Sequence, residues 1–114
     1  MVVADLSFIS LSTVADRLAA LGDDGTDWIL LIKPQFEAGR DAVGKGGVVR
    51  DPATWLRVVG EVTDGLASVD LGCHGLEVSS IRGTEGNVEF VGHYRKGSSI
   101  VTQSDLASIV ETVS

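Results

Sequence analysis

The sequence predicts an α/β layered sheet with an antiparallel strand pair at one edge, and three observations carry the prediction. Two apolar runs of strand length, "VVADLSFI" near the N-terminus and "WILLIK" from Trp28, bracket a segment whose apolar residues recur every three or four positions. A second amphipathic segment follows, from Pro52 to about Asp70. Two further strand-like runs, "GLEVSSI" and "NVEFVGHY", then flank the turn "RGTEGN", a spacing that pairs them antiparallel. Elements in the order β-α-β-α-β-β assemble most simply as one layered sheet.

The first strand opens the chain and ends near Asp5. It reads as a buried strand with no partner encoded before it, and an unpaired apolar edge of that kind is a liability. It is offered as an oligomer contact. Ser10 or Ser12 can cap the first helix, whose apolar positions are Leu11, Val14, Leu18 and Leu21, with Gly22 where a C-cap glycine belongs. "DDGTD" is a turn, and the second strand ends on Lys33, which Pro34 keeps out of the helical region. Pro34 to Asp51 reads as a loop, and loops beyond about 12–15 residues in a compact domain are usually functional or disordered. Asp51 and Pro52 form an N-cap followed by proline at the first helical position. Trp55, Val59, Val62, Leu66 and Val69 give that helix its apolar stripe. The tail "SDLASIVETV" is a short helix with Asp105 as its candidate cap.

A chain of 114 residues is one domain by expectation, and 44% hydrophobic residues are enough for a core. No run approaches the roughly 18 apolar residues of a membrane span, and the first residues carry an acid and no basic cluster, unlike a signal peptide. One cysteine, Cys73, excludes an internal disulfide and a cysteine-based zinc site; it reads as a small buried apolar residue, and the cytoplasm is the default compartment. His74 and His93 have no acidic neighbours at ligand spacing, so no metal is expected. The net charge of −7 argues against a nonspecific nucleic-acid coat. From Lys33 to Arg50, however, four bases face two acids, a local basic excess on an acidic body that suits a local anionic partner.

Part of that basic segment imitates a phosphate-binding loop: Gly39, four residues, then Gly44 and Lys45. The imitation fails on three counts. The strand ends well before Gly39, Gly46 stands where a Ser or Thr would hold magnesium, and the helix begins only at Pro52. The chemistry lies instead at strand ends, where ligands of open α/β sheets gather. Asp5 and Lys33 end the two candidate parallel strands, and Glu89 lies inside the apolar run "NVEFV". Ionisable groups in such runs are expensive to bury unless paired, so three that can converge favour a site over three separate salt bridges.

The segments "VVADLSFISL", "LIKPQFEAGRDAVGKGGVVRDP" and "GTEGNVEFVGHYRK" together resemble the second half of the TlyA family, the FtsJ-like (RrmJ-like) ribosomal RNA 2′-O-methyltransferases also named hemolysins. The resemblance runs from Val2 to about Lys96 and implies the second half of a Rossmann-like class I S-adenosylmethionine-dependent methyltransferase sheet. It implies methylation of ribose 2′-hydroxyls in 16S or 23S RNA on ribosomal subunits. It further implies a Lys-Asp-Lys-Glu tetrad whose last three members match Asp5, Lys33 and Glu89. Asp5, Leu6 and Ser7 fall at the cofactor, and Arg40, Lys45 and Arg50 become candidate RNA contacts. A 2′-hydroxyl is a poor nucleophile, so a base must take its proton as the methyl moves. A lysine of ordinary pKa, about 10.4, is neutral in roughly one molecule in 2,500 at pH 7, and desolvation or a neighbouring sulfonium raises that fraction. The family's glycine-rich cofactor loop, its first tetrad lysine and its S4-like RNA-binding domain have no counterpart in these residues. The expectation is therefore a partial methyltransferase domain over residues 1–114 that is inactive alone. A noncatalytic RNA- or ribosome-binding module is the alternative. Membrane lysis finds no support, since neither main helix has a Lys/Arg-rich polar face.

Overall fold

The computed structural model describes residues 1–5, 11–37, 48–80 and 86–113. Along the chain lie β1 (Val2–Ala4), a 3₁₀ turn (Leu11–Val14) running into α1 (Ala15–Ala19), β2 (Trp28–Ile32), the one-turn α2 (Pro34–Glu37) and α3 (Pro52–Ala67). β3 (Leu71–Val78), β4 (Phe90–Lys96) and α4 (Gln103–Glu111) complete the fold. The strands form one mixed sheet in the order β1-β2-β4-β3. β1 and β2 are parallel, and β4 is antiparallel to both β2 and β3. The expected antiparallel pair is therefore present at one edge, with β3 outermost. The last strand enters between β2 and β3, so β1, β2 and β3 all run one way and β4 alone runs against them.

β2 alternates between two environments because successive strand residues point to opposite faces. Trp28, Leu30 and Ile32 are fully buried, and β4 adds Phe90 and Tyr94 on the same side. α3 covers that face with Trp55, Val58, Val59, Val62 and Leu66, and α4 adds Leu106 and Val110. α1 packs there as well, since the Trp28 indole N–H donates to the Leu18 carbonyl at 2.8 Å. Each such fully buried apolar side chain is worth about 1.5–3 kcal/mol relative to exposure. Tyr94 lies flat over its own strand: a Cβ on Gly92 would stand 2.5 Å from the ring, so glycine is what admits it. The Tyr94 hydroxyl meets Thr63 Oγ1 at 3.3 Å, and burial pushes the phenol's pKa up. Cys73 is buried as expected, its thiol also pushed up by burial.

Several local expectations change. β1 is an edge strand of three residues, and Val3 is 70% exposed while Val2 and Ala4 pack partly against the core. β3 begins at Leu71, four residues before the expected Gly75. α1 ends on Ala20 in a helical conformation, and Gly22 instead makes room for Thr26, which a Cβ would meet at 2.5 Å. α1 is entered through the 3₁₀ turn from Val14, with no side-chain cap. α3 starts as expected, the Asp51 carboxylate accepting from the Ala53 N–H. In α4 the cap is Thr102, and Asp105 is the third helical residue of a reciprocal capping box. Among the described residues no helix is long and apolar enough to cross a membrane.

Candidate functional site

The topology explains how three ionisable residues distant in sequence come to one edge. β1 and β2 are parallel, so Asp5 and Lys33, each one residue past its strand, stand at the same end of the sheet. β4 is antiparallel and begins at that end, which brings Glu89, one residue before it, to the same edge. The ladder between β2 and β4 ends with Ile32 facing Phe90, making Lys33 and Glu89 the next opposed positions. Glu89 is tied to the neighbouring strand too, its carbonyl accepting from the Ser79 N–H at 2.8 Å.

Lys33 Nζ lies 2.6 Å from Asp5 Oδ1. The lysine side chain is 14% exposed and the aspartate 56%, so the amine is sheltered and the carboxylate remains reachable from solvent. Lys33 is also fixed through its backbone. Pro34 follows at the first position of α2, and the Lys33 carbonyl accepts from the Phe36 and Glu37 N–H groups at 2.9 and 3.1 Å. This turn projects Gln35 toward the other carboxylate, and Gln35 Nε2 donates to Glu89 Oε2 at 2.9 Å. Glu89 is only 6% exposed. Gln35 Oε1 is buried with no hydrogen-bond partner among the described residues.

A second anchor joins this edge to the start of α3. Asn87, 1% exposed, accepts at Oδ1 from the Val49 N–H at 2.8 Å, and the Val49 carbonyl accepts from the Trp55 indole at 3.1 Å. Only Val88 separates Asn87 from Glu89, so the segment that carries the glutamate also holds the segment that carries Arg50. Arg50 itself is exposed beside that anchor. Leu6, Ser7, Arg40 and Lys45 lie outside the described residues.

Charge in apolar runs found Asp5, Lys33 and Glu89. It could not find Gln35 or Asn87, which are neutral. Both do stand inside the quoted segments, in "KPQFE" and "EGNVEF". The remaining polar cluster lies elsewhere: His93 Nε2 and Arg95 Nε approach Asp27 Oδ1 at 2.8 and 3.3 Å, and the His74 ring stands edge-on to His93 at 6.0 Å. Among the described residues no group of three His, Cys, Asp or Glu side chains could hold a metal ion.

Chemically, the edge holds a sheltered primary amine against one solvent-reachable carboxylate, with a buried carboxylate in the next register position. Such an arrangement can hold an amine in a set direction and pass a proton through it.

The chain matches the FtsJ-like methyltransferase family over residues 1–96. It is 45% identical over 89 residues to a candidate rRNA methyltransferase, YqxC, of Bacillus subtilis, covering 78% of this chain and 32% of that protein. It is 46% identical over 92 residues to the 16S/23S rRNA (cytidine-2′-O)-methyltransferase TlyA of Mycobacterium tuberculosis, covering 79% of this chain and 34% of that one. A solved structure of a candidate hemolysin from Streptococcus thermophilus superposes with a TM-score of 0.89 at 34% identity, covering 96% of this chain and 40% of the other. The chain thus spans about a third of the length of the curated relatives it matches. The match over residues 1–96 and the identity to these relatives place the chain in the FtsJ-like methyltransferase family.

Proposed function

We propose that this chain is part of a ribosomal RNA 2′-O-methyltransferase domain in which Lys33 is the general base. The observation that carries the reading is the Lys33–Asp5 pair, 2.6 Å long, at the sheet edge where the buried Glu89 also arrives. Lys33 and Glu89 take the next opposed positions beyond the β2–β4 ladder, so a hydroxyl brought to this edge would meet the amine with a carboxylate on the adjoining strand. In the proposed reaction the Lys33 amine would take the proton of a ribose 2′-hydroxyl, readying its oxygen to receive a methyl group. Asp5 holds the amine in place through its Oδ1, and Glu89 orients the amine or the hydroxyl from the other side. Base, nucleophile and orienting groups then stand within hydrogen-bond reach, as proton transfer requires.

S-adenosylmethionine supplies the methyl group as an electrophilic sulfonium. The residues present fit it in one respect: the Asp5 carboxylate is more than half exposed at the carboxyl end of β1, open to a cation while bonded to Lys33. Asp5, Leu6 and Ser7 would hold the cofactor from this side, and Arg40, Lys45 and Arg50 would contact RNA phosphates. The match to only about a third of the length of its relatives supports a partial domain. Chemistry from this chain alone would lack the glycine-rich loop. Calorimetric titration of the 114-residue chain is expected to show no S-adenosylmethionine binding at micromolar concentration, and tight binding would overturn that expectation.

Lys33→Ala in the full-length protein tests the reading. Loss of a general base costs about 10²–10⁴-fold in rate, while retention of the RNA on a filter should change little. The measurement is nucleoside mass spectrometry of treated ribosomal RNA for 2′-O-methylated residues. Unchanged methylation would sink Lys33 as the base. Weakened RNA retention with no methyl transfer in the wild-type protein would favour the noncatalytic RNA-binding module.

A further inference from the structure

We infer that Gln35 is a positioning residue of this site, acting on the reaction through Glu89. The inference rests on the functional reading above, because it assigns Gln35 a part in that same chemistry. Its basis is the wiring of "Lys-Pro-Gln" at the end of β2. Lys33 ends the strand, Pro34 forces a helical turn, and the Lys33 carbonyl accepts two N–H groups of that turn. The backbone that fixes Lys33 therefore also fixes Gln35. One side chain reaches Asp5 and the other reaches Glu89, at 2.6 and 2.9 Å.

The direction of the Gln35 amide shows which partner sets it. Its nitrogen faces a carboxylate, which only accepts, and its own Oε1 is left buried with no hydrogen-bond partner among the described residues. A buried acceptor left unmet is costly and uncommon, and such groups in native proteins call for an explanation. Turning the amide over would aim Oε1 at Glu89 Oε2, oxygen against oxygen. Glu89 is what fixes the amide, and the amide in turn fixes one of the two Glu89 oxygens. Glu89 is then free to turn only as far as that bond allows, which leaves Oε1 as the carboxylate oxygen that Gln35 does not hold.

A neutral amide suits this task better than a cation would. It holds the carboxylate without neutralising it, so the charge of Glu89 stays available to the lysine and the hydroxyl. Gln35 touches no reacting atom in this scheme. Its effect is on the precision with which the carboxylate is held, and supporting hydrogen bonds of this kind typically matter by about 10–100-fold in activity.

The test uses the full-length protein and four variants, Gln35→Met, Gln35→Glu, Glu89→Gln and the Gln35→Met/Glu89→Gln double substitution. Methionine keeps the length and most of the volume and removes both polar atoms. Gln35→Met is expected to lower kcat about tenfold or more with KM for RNA and cofactor within about twofold, the pattern of a lost transition-state contribution. Gln35→Glu, which sets two carboxylates against each other, is expected to lose more than the methionine variant. In the Glu89→Gln background the methionine change should cost little further, because the partner through which it acts is already altered. An equal factor in both backgrounds, or a Gln35→Met enzyme with wild-type kcat, would overturn the inference. The parent reading fails by a different outcome, methylation that survives Lys33→Ala or a methyl group found on a base instead of the ribose. The two failures are therefore told apart by different variants.

Discussion

Along β2 neighbouring residues of one strand meet opposite surroundings. Trp28, Leu30 and Ile32 point under the helices and are fully buried, whereas Ile29 and Leu31 point to the other face and are half-buried. β4 repeats the division, with Phe90 and Tyr94 on the covered side and Val91 and His93 on the open one. The covered face is sealed by α1, α3 and α4, and its polar atoms find fixed partners: the Trp28 indole on Leu18, the Tyr94 hydroxyl on Thr63. The open face keeps a cavity of about 370 Å³ lined by Ile29, Val91, Gly75, Leu76, Glu77 and His93, and its polar cluster of Asp27, His93 and Arg95 is part-exposed. The candidate site belongs to neither face. It sits at the sheet end, where the strands stop and both faces can contribute.

The sharpest way to break this comparison is a matched pair on adjacent residues of the same type. Leu30→Ala removes a fully buried side chain from under α3, and core leucine truncations cost about 2–5 kcal/mol. Leu31→Ala removes the same atoms from the open face, where substitutions away from packed features usually stay near about 0.5 kcal/mol, with half-burial raising this somewhat. Urea unfolding of the two variants measures both. A Leu31→Ala cost equal to that of Leu30→Ala would mean that the open face is covered in solution. A small cost for Leu30→Ala would mean that the helices do not seal the other.

The same contrast explains what could be read in the sequence. Asp5, Lys33 and Glu89 were legible because charge inside apolar runs needs a reason, and the structure sets the first two in contact and the third in the next register position. Asp51 and Pro52 were legible because capping is local chemistry, and the Asp51 bond to the Ala53 N–H bears it out. Pairing between distant segments was not. Nothing local in "FVGHYRK" says that it enters between β2 and β3, because that choice is decided by two ladders closing at once. The start of β3 was missed because the two glycines of "LGCHG" weaken its strand pattern. Gly72 is in fact a close approach, where a Cβ would stand 2.5 Å from the Gly97 carbonyl oxygen. Gln35 was missed because a neutral amide in an expected loop carries no energetic flag until its partner, 54 residues away, is known.

The smallest expected effect sharpens the comparison from the open face. Asp27 is held below the usual carboxylate range, first by the hydrogen bond from His93, with the Arg95 charge adding to it and slight burial opposing. A carboxylate whose folded pKa is depressed binds its proton more weakly folded than unfolded, so its contribution is fully present above the unfolded value of about 3.9. That contribution is lost as the pH falls from there through the lower folded value. Asp27→Asn removes it. The stability difference between wild type and variant should therefore shrink steadily as the pH falls below about 4. Taking the difference cancels the other acids, including Asp105, whose pKa is also lowered, by the Thr102 backbone N–H and hydroxyl. Because the pair is solvent-accessible, about 1 M salt should shrink the difference further, the screening length there being only about 3 Å. A difference that is flat from pH 6 to 3 would show that the Asp27–His93–Arg95 cluster does not form on the open face in solution.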